Sequence, residues 1–237
     1  MNLKNKKHLF FDLDGTLAPS RQKIKPEITE LLLNLGRTII VVSGSENHKI
    51  RERVGNIDCF HFKLGQNGNQ VLDSTNNLLW ENLLSDEEQK LIHEHISRLR
   101  LAITHYIPNE NDLIEDRGSQ ISFSIYGHNA PLEEKQACDA DFTKRKILLE
   151  KIPFVSDTVD VKIGGTTCFD YFKKGLNKGT NTHRLIETMG WDKNECVYFG
   201  DALFPGGNDD SVVGIMDTVE VTDEEDTARK LREYFLT

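Results

Sequence analysis

Cysteine, proline and tryptophan are all scarce in this chain of 237 residues, at four, six and two copies. Cys59, Cys138, Cys168 and Cys196 stand far apart, with no Cys-x-x-Cys pair. That argues against a zinc site or a disulfide framework and makes a reducing, cytoplasmic setting the expectation. Long apolar runs are missing too. Met1 to Lys7 is short and basic, and the apolar stretch after it is too short for a signal peptide or a membrane span. Positive charge is in deficit: 29 Lys and Arg face 38 Asp and Glu, a net charge of −9, and no basic tract compensates. The chain therefore lacks the electrostatic footprint of a nucleic-acid binder. There is no internal repeat and no low-complexity segment. What remains, 38% hydrophobic and 28% charged residues, is ordinary for a globular protein with one large core or two modest ones.

The chain is organised around His8-Leu9-Phe10-Phe11-Asp12-Leu13-Asp14-Gly15-Thr16-Leu17. An apolar run of strand type ends in two aspartates flanking one leucine, and a Gly-Thr turn follows. Residues i and i+2 of a strand face the same way, so both carboxylates crowd one spot at the strand's C-terminal tip. Like charges that close call for a cation or a shared proton. Gly15 permits a sharp turn, and Thr16 adds a hydroxyl. Together these groups suit phosphoryl transfer: a carboxylate nucleophile, a second carboxylate as acid and base, and a seat for Mg²⁺.

The pattern that follows predicts alternating helices and strands. A helix begins at Pro26, with Ile28, Leu31, Leu32 and Leu35 on one stripe, and closes at Gly36. Thr38 to Val42 reads as a buried parallel strand ending in Ser43-Gly44-Ser45. A weak helix through Ile50 and Val54, a strand Cys59–Leu64 and a pair Gln70–Asp73 with Leu78–Trp80 follow. This β-α-β-α-β opening predicts a doubly wound α/β core.

From Ser85 the character changes. Ser85 and Glu88 form a capping box for a long amphipathic helix. Strands at Ile121–Ile125, Val159–Ile163 and Thr167–Phe172 and a single helix Asp139–Lys151 then predict an inserted α+β domain. The expected division is residues 1–82 and 177–237 for the core and 83–176 for the insert. The core resumes with a helix Thr180–Met189, a strand Glu195–Phe199 delivering Gly200-Asp201, short strands Val212–Ile215 and Thr218–Val221, and a final helix capped by Thr222 and Glu225.

Polar residues recur where apolar strands end: Asp12 and Asp14, Ser43, and Asp201. Sites in doubly wound sheets form outside the carboxyl ends of strands, so these residues are expected to converge on one crevice, with Lys178 in reach to offset phosphoryl charge. In the order Asp-x-Asp, Ser, Lys, Gly-Asp…Asn-Asp they match the four motifs of the haloacid dehalogenase (HAD) superfamily. Nearly the whole chain resembles eukaryotic-type phosphomannomutases and the related sugar phosphatases that carry an α+β cap of the C2b kind. The resemblance rests on Asp12–Ile24, Ile114–Arg117, Gly164–Asp170 and Gly200–Asp209. It implies a HAD-type core with a C2b-like cap, Asp12 as nucleophile and Asp14 as general acid and base. It implies Mg²⁺ held by Asp12, the Asp14 backbone carbonyl and Asp201, with Asp209 in the same motif. Arg21, Arg117 and Asp170 are implied to touch the sugar phosphate, and related mutases dimerise through the cap, so a homodimer is expected.

The departures from the mutase pattern matter as much. His128 and Lys135 stand where the family's cap carries two further arginines, and neither offers a rigid bidentate fork. Cys168 stands in place of a substrate-binding serine, where a buried strand residue is the alternative reading. Ser43-Gly44 and Asn177–Thr180 are more like the sugar phosphatases. The expectation is therefore a Mg²⁺-dependent phosphatase of a hexose phosphate. A true phosphomannomutase acting on mannose phosphates is the close second, and a catalytically silent sugar-phosphate-binding module the third.

Overall fold

The apolar run after Lys7 forms β1 (His8–Asp12), with Leu9 to Asp12 all buried. Pro26 then starts α1 (Pro26–Asn34), since its missing N–H falls where no helical partner exists, and the helix buries Ile28, Leu31 and Leu32. β2 (Thr38–Val42), α2 (Asn47–Val54) and β3 (Phe60–Gly65) complete the predicted alternation. β4 (Gln70–Asp73) and β5 (Leu78–Glu81) form the hairpin. The computed structural model describes residues 3–55 and 60–236. Cys59, the expected start of the third strand, lies outside the described residues.

The capping box is present: Ser85 Oγ accepts from the Glu88 N–H at 3.2 Å while Glu88 Oε2 accepts from the Ser85 N–H at 2.8 Å. It opens α3 (Asp86–Ala102). β6 (Ile114–Asp116) and β7 (Gln120–Ser124) follow. The helix expected over Asp139–Lys151 begins only at Thr143, as α5 (Thr143–Lys151), after Phe142 at a left-handed φ of 63°, and a separate, unanticipated helix, α4 (Leu132–Asp139), precedes it. Asp139 stabilises the break by accepting from the Lys144 N–H at 2.8 Å and Arg145 Nε at 2.6 Å. β8 (Val159–Gly164) and β9 (Cys168–Lys173) end this region.

Asn177 caps α6 (Lys178–Met189), which Gly190 closes at a φ of 66°, so Lys178 is the first residue of the helix rather than just before it. β10 (Cys196–Gly200), β11 (Asp217–Glu220) and α7 (Glu224–Phe235) finish the chain. The expected strand Val212–Ile215 is instead a 3₁₀ turn, Asp210–Val212, followed by an isolated bridge between Val213 and Met216. The cap of α7 is Asp223, which accepts from the Asp226 N–H at 2.8 Å, not Thr222.

The chain divides into two units, Met1–Glu81 with Leu176–Thr237, and Asn82–Gly175. Among the described residues, the first unit holds a seven-stranded sheet in the order β11-β10-β1-β2-β3-β4-β5, parallel from β11 to β3. Alternate β1 side chains feed different layers: Leu9 and Phe11 join one buried cluster, Phe10 another. Each such burial contributes roughly 1.5–3 kcal/mol. The second unit holds an antiparallel sheet, β6-β7-β9-β8. Its Ile121, Phe123, Phe169 and Tyr171 pack with Ile92, Ile96 and Leu99 of α3. Period-two alternation leaves Glu115, Ser122, Asp170 and Lys162 in one cross-strand row on the other face. No helix of the described residues is long and apolar enough to cross a membrane.

Candidate active site

β10, β1 and β2 are parallel neighbours, with His8 beside both Cys196 and Thr38. Their C-terminal ends therefore lie side by side. Asp12 pairs with Val42, which puts Ser43 one residue beyond it, and Asp201 follows the last residue of β10. This is the sheet edge where the sequence placed its polar tips.

Lys178 joins the pieces. Its Nζ donates to Asp12 Oδ1 at 2.8 Å and to Asp209 Oδ1 at 2.6 Å, and all three side chains are at most 4% exposed. Tyr198 Oη donates to the same Asp209 oxygen at 2.7 Å. Two close backbone approaches hold the acids in place. A Cβ on Gly15, whose φ is +77°, would stand 2.6 Å from Asp201 Oδ2, and one on Gly200 would collide with the Asp209 carboxylate.

Three carboxylates around one ammonium leave excess negative charge. Burial, with Asp209 and Asp201 adding to it against Lys178, pushes the Asp12 carboxyl up to about 7. Burial and the neighbouring Asp209 raise Asp201 as well. Burial alone would lower Lys178, but Asp12 and Asp209 outweigh it and hold the ammonium charged well above its ordinary range. Asp12, Asp201 and Asp209 each offer an oxygen within 4.8 Å of the others. Hard oxygen donors carrying uncompensated charge fit a hard divalent cation.

Asp14 faces a different partner. Arg53 of α2 grips it with a two-pronged fork, Nη1 to Oδ2 and Nη2 to Oδ1, both at 2.9 Å. The Arg21 N–H donates to the same Oδ1 at 2.7 Å, from a residue with a left-handed φ of 61°. Arg21 contributes its backbone here, and its side chain is exposed. Ser43, 1% exposed, accepts from the Ser45 N–H on its hydroxyl at 3.1 Å and from the Asn67 N–H on its carbonyl at 2.8 Å. The Thr16 hydroxyl is buried and has no hydrogen-bond partner among the described residues.

The expected substrate residues of the second unit lie near one another but are engaged internally. Arg117 Nη2 donates to Glu115 Oε2 at 2.7 Å. His128 Nδ1 lies 3.7 Å from that carboxylate and 3.8 Å from Cys168 Sγ, while Nε2 lies 3.2 Å from the Ser122 carbonyl. Burial alone would lower the His128 pKa, but Cys168, the Ser122 carbonyl and Glu115 leave it raised. Lys135 is buried and donates to the His128 carbonyl at 2.6 Å. Asp170 accepts from the Ser122 hydroxyl at 2.6 Å.

The sequence reading missed Arg53, Tyr198 and Asn181. Arg53 looks like any solvated helix arginine, and its partner lies 39 residues away. Tyr198 carries a faint signal, a phenol inside an otherwise apolar buried strand whose hydroxyl needs a partner. Asn181, one turn after Lys178, donates to the Asn67 carbonyl at 3.0 Å and so fixes the turn after β3 to α6.

The chain is similar to known proteins in sequence and in fold. A sequence model described as haloacid dehalogenase-like hydrolase matches residues 9–209. Phosphomannomutase 1 of Dictyostelium discoideum is 31% identical over 95% of this chain and 95% of its own. The phosphomannomutase of Spinacia oleracea is 31% identical over 96% and 95%. A haloacid dehalogenase-like hydrolase from Bacteroides thetaiotaomicron superposes with a TM-score of 0.65 at 15% identity, covering 97% of this chain and 100% of that one, a likeness of fold. Sequence motifs, sheet order and relatives agree: the chain belongs to the haloacid dehalogenase-like hydrolase family.

Proposed function

We propose that this enzyme moves the phosphoryl group of a hexose phosphate onto Asp12 and then to water. The observation that carries the reading is the Asp12 carboxylate at the tip of β1, bonded to Lys178 and crowded by Asp201 and Asp209. A buried carboxylate beside a fixed ammonium is placed to attack phosphorus while Lys178 offsets the charge on the transferred group. Asp14 then protonates the leaving sugar oxygen and afterwards takes the proton of the attacking water. Asp12, Asp201 and the Asp14 carbonyl would hold Mg²⁺, with Asp209 adding charge while its Oδ1 stays on Lys178 and Tyr198. When bound, the ion supplies neutralisation of phosphoryl charge and orientation of its oxygens. The unpartnered Thr16 hydroxyl offers a donor to the same group.

Water is favoured over a sugar hydroxyl as acceptor because the second unit offers few free guanidinium forks. Arg117 is held by Glu115, and Lys135 by the His128 carbonyl. Weak capture of a second phosphate lets the sugar leave before it can be phosphorylated again. The second reading, a phosphomannomutase, draws support from relatives of that name at 31% identity over nearly the whole chain. Mannose 1-phosphate followed by ³¹P NMR with Mg²⁺ and catalytic glucose 1,6-bisphosphate separates the two. Inorganic phosphate as the main product supports the phosphatase; conversion to mannose 6-phosphate with little phosphate supports the mutase. A cytoplasmic location and a homodimer through the second unit belong to the same proposal. The free thiols Cys138, Cys168 and Cys196 suit a reducing compartment.

A further inference from the structure

A carboxylate has about four lone-pair sites, two on each oxygen. In Asp14 three of them are spent. Oδ1 accepts from Arg53 Nη2 at 2.9 Å and from the Arg21 N–H at 2.7 Å; Oδ2 accepts from Arg53 Nη1 at 2.9 Å. The same guanidinium donates through Nε to the Gln22 carbonyl at 2.8 Å, and the Arg53 carbonyl accepts from the Ile24 N–H at 3.1 Å. Arg53 thus ties α2 to Asp14 and to the segment 21–24 that follows the catalytic turn. Its side chain is only 11% exposed, so this is not a loose surface pair.

We infer that Arg53 is the positioning residue of the proton-transfer step, and that it leaves Asp14 Oδ2 as the single oxygen able to pass the proton. The inference rests on Asp14 being the acid and base of the proposed reaction. In the first half, the Oδ2–H proton goes to the leaving oxygen as the bond from that oxygen to phosphorus breaks and the Asp12 oxygen–phosphorus bond forms. In the second half, Oδ2 takes a proton from water as the water oxygen bonds phosphorus and the Asp12 oxygen–phosphorus bond breaks. Through both halves the fork keeps its two contacts, so Oδ1 never turns toward the substrate. A lysine at 53 would keep the charge but lose the planar fork that sets this direction.

The consequence is a dependence on the leaving group. p-Nitrophenolate departs without a proton; phenolate from phenyl phosphate benefits from one. The experiment measures kcat/KM, which reports the bond-breaking step, for both aryl phosphates in wild type, Arg53→Lys, Arg53→Gln and Asp14→Asn, with melting temperatures to confirm folding. The ratio of phenyl to p-nitrophenyl phosphate is expected to fall at least about tenfold in every variant, as loss of a positioned acid requires. If Asp14→Asn lowers the ratio and both Arg53 variants keep it, the positioning role is overturned and the acid role of Asp14 stands. If Asp14→Asn itself keeps the ratio, the acid assignment fails and the inference with it. A purely structural role for Arg53 would lower both rates together and leave the ratio at the wild-type value, which also overturns the inference.

Discussion

Lys178 of α6 and Asp12 of β1, 166 residues apart in the chain, meet at 2.8 Å with almost no exposure. Their pairing is not a stability device in the first instance. Two charges buried together gain little over a well-packed apolar pair, but removing one strands the other. Here the ammonium is also shared with Asp209 at 2.6 Å, so its loss strands two carboxylates. Lys178→Met is expected to lower stability by about 3–5 kcal/mol at neutral pH and to cut kcat by roughly 10²–10³-fold through lost charge stabilisation. Denaturant melts and steady-state kinetics check the two effects. Because burial already raises the Asp12 carboxyl, lower pH favours its uncharged form, and the stability loss should shrink toward pH 5.

The acidic cluster should announce its cation without turnover. Added Mg²⁺ is expected to raise the melting temperature of chelator-treated protein, because an ion that binds only the folded state stabilises it by mass action. Asp201→Asn should abolish that rise while keeping the fold, since its side chain is only half-buried and sits against the Gly15 turn. A wild-type melting curve unmoved by millimolar Mg²⁺ would count against the site.

Arg145 holds the second unit's long turn. The side chain is wholly buried and donates to Asp139 Oδ2 at 2.6 Å and to the carbonyls of Gly164, Thr166 and Cys168 at 2.7, 2.7 and 3.0 Å. Arg145→Leu leaves the buried Asp139 carboxylate without its counter-charge, with only the Lys144 N–H on Oδ1, and takes the donor from several carbonyls, so a loss of about 3–5 kcal/mol is expected in denaturant unfolding. Arg145→Lys should recover only part of it, one point charge replacing five directed donors.

His95 gives the second unit a pH dependence of known sign. Its Nε2 lies 2.8 Å from the Ile152 carbonyl and its Nδ1 2.8 Å from the Tyr171 hydroxyl. Burial lowers its pKa below 6.5, against a smaller opposing effect of the Ile152 carbonyl. The unfolded chain therefore binds the proton first as pH falls. Stability contributed by the neutral ring is full above about pH 6.5 and is lost as pH drops toward the depressed folded value. Thermal melts between pH 8 and 5 should show this fall, and His95→Gln should flatten it.

How much of this was legible in the sequence follows from what each signal depends on. Asp12, Ser43 and Asp201 could be placed because each ends a continuous apolar strand, and parallel strands put their tips together whatever the loops do. The capping box at Ser85 is local and was readable for the same reason. The break between α4 and α5 was not, because it depends on Phe142 accepting a left-handed backbone and on Asp139 meeting Arg145. Arg53 was invisible because a guanidinium on an exposed-looking helix carries no mark of the carboxylate it will meet. Lys135, singled out because it stands where the resembled family has an arginine, donates to the His128 carbonyl, a contact that no local sequence pattern announces.

The central claim is a covalent phosphoryl group on Asp12, and trapping it is the most direct test. Enzyme quenched during turnover of p-nitrophenyl phosphate with Mg²⁺, then reduced with borohydride, should contain homoserine in place of Asp12 in the peptide spanning residues 8–21. The account predicts that conversion at residue 12 alone, and its disappearance in Asp12→Asn. Turnover with no reducible carboxyl phosphate, or conversion at Asp14 or Asp201 instead, would contradict it.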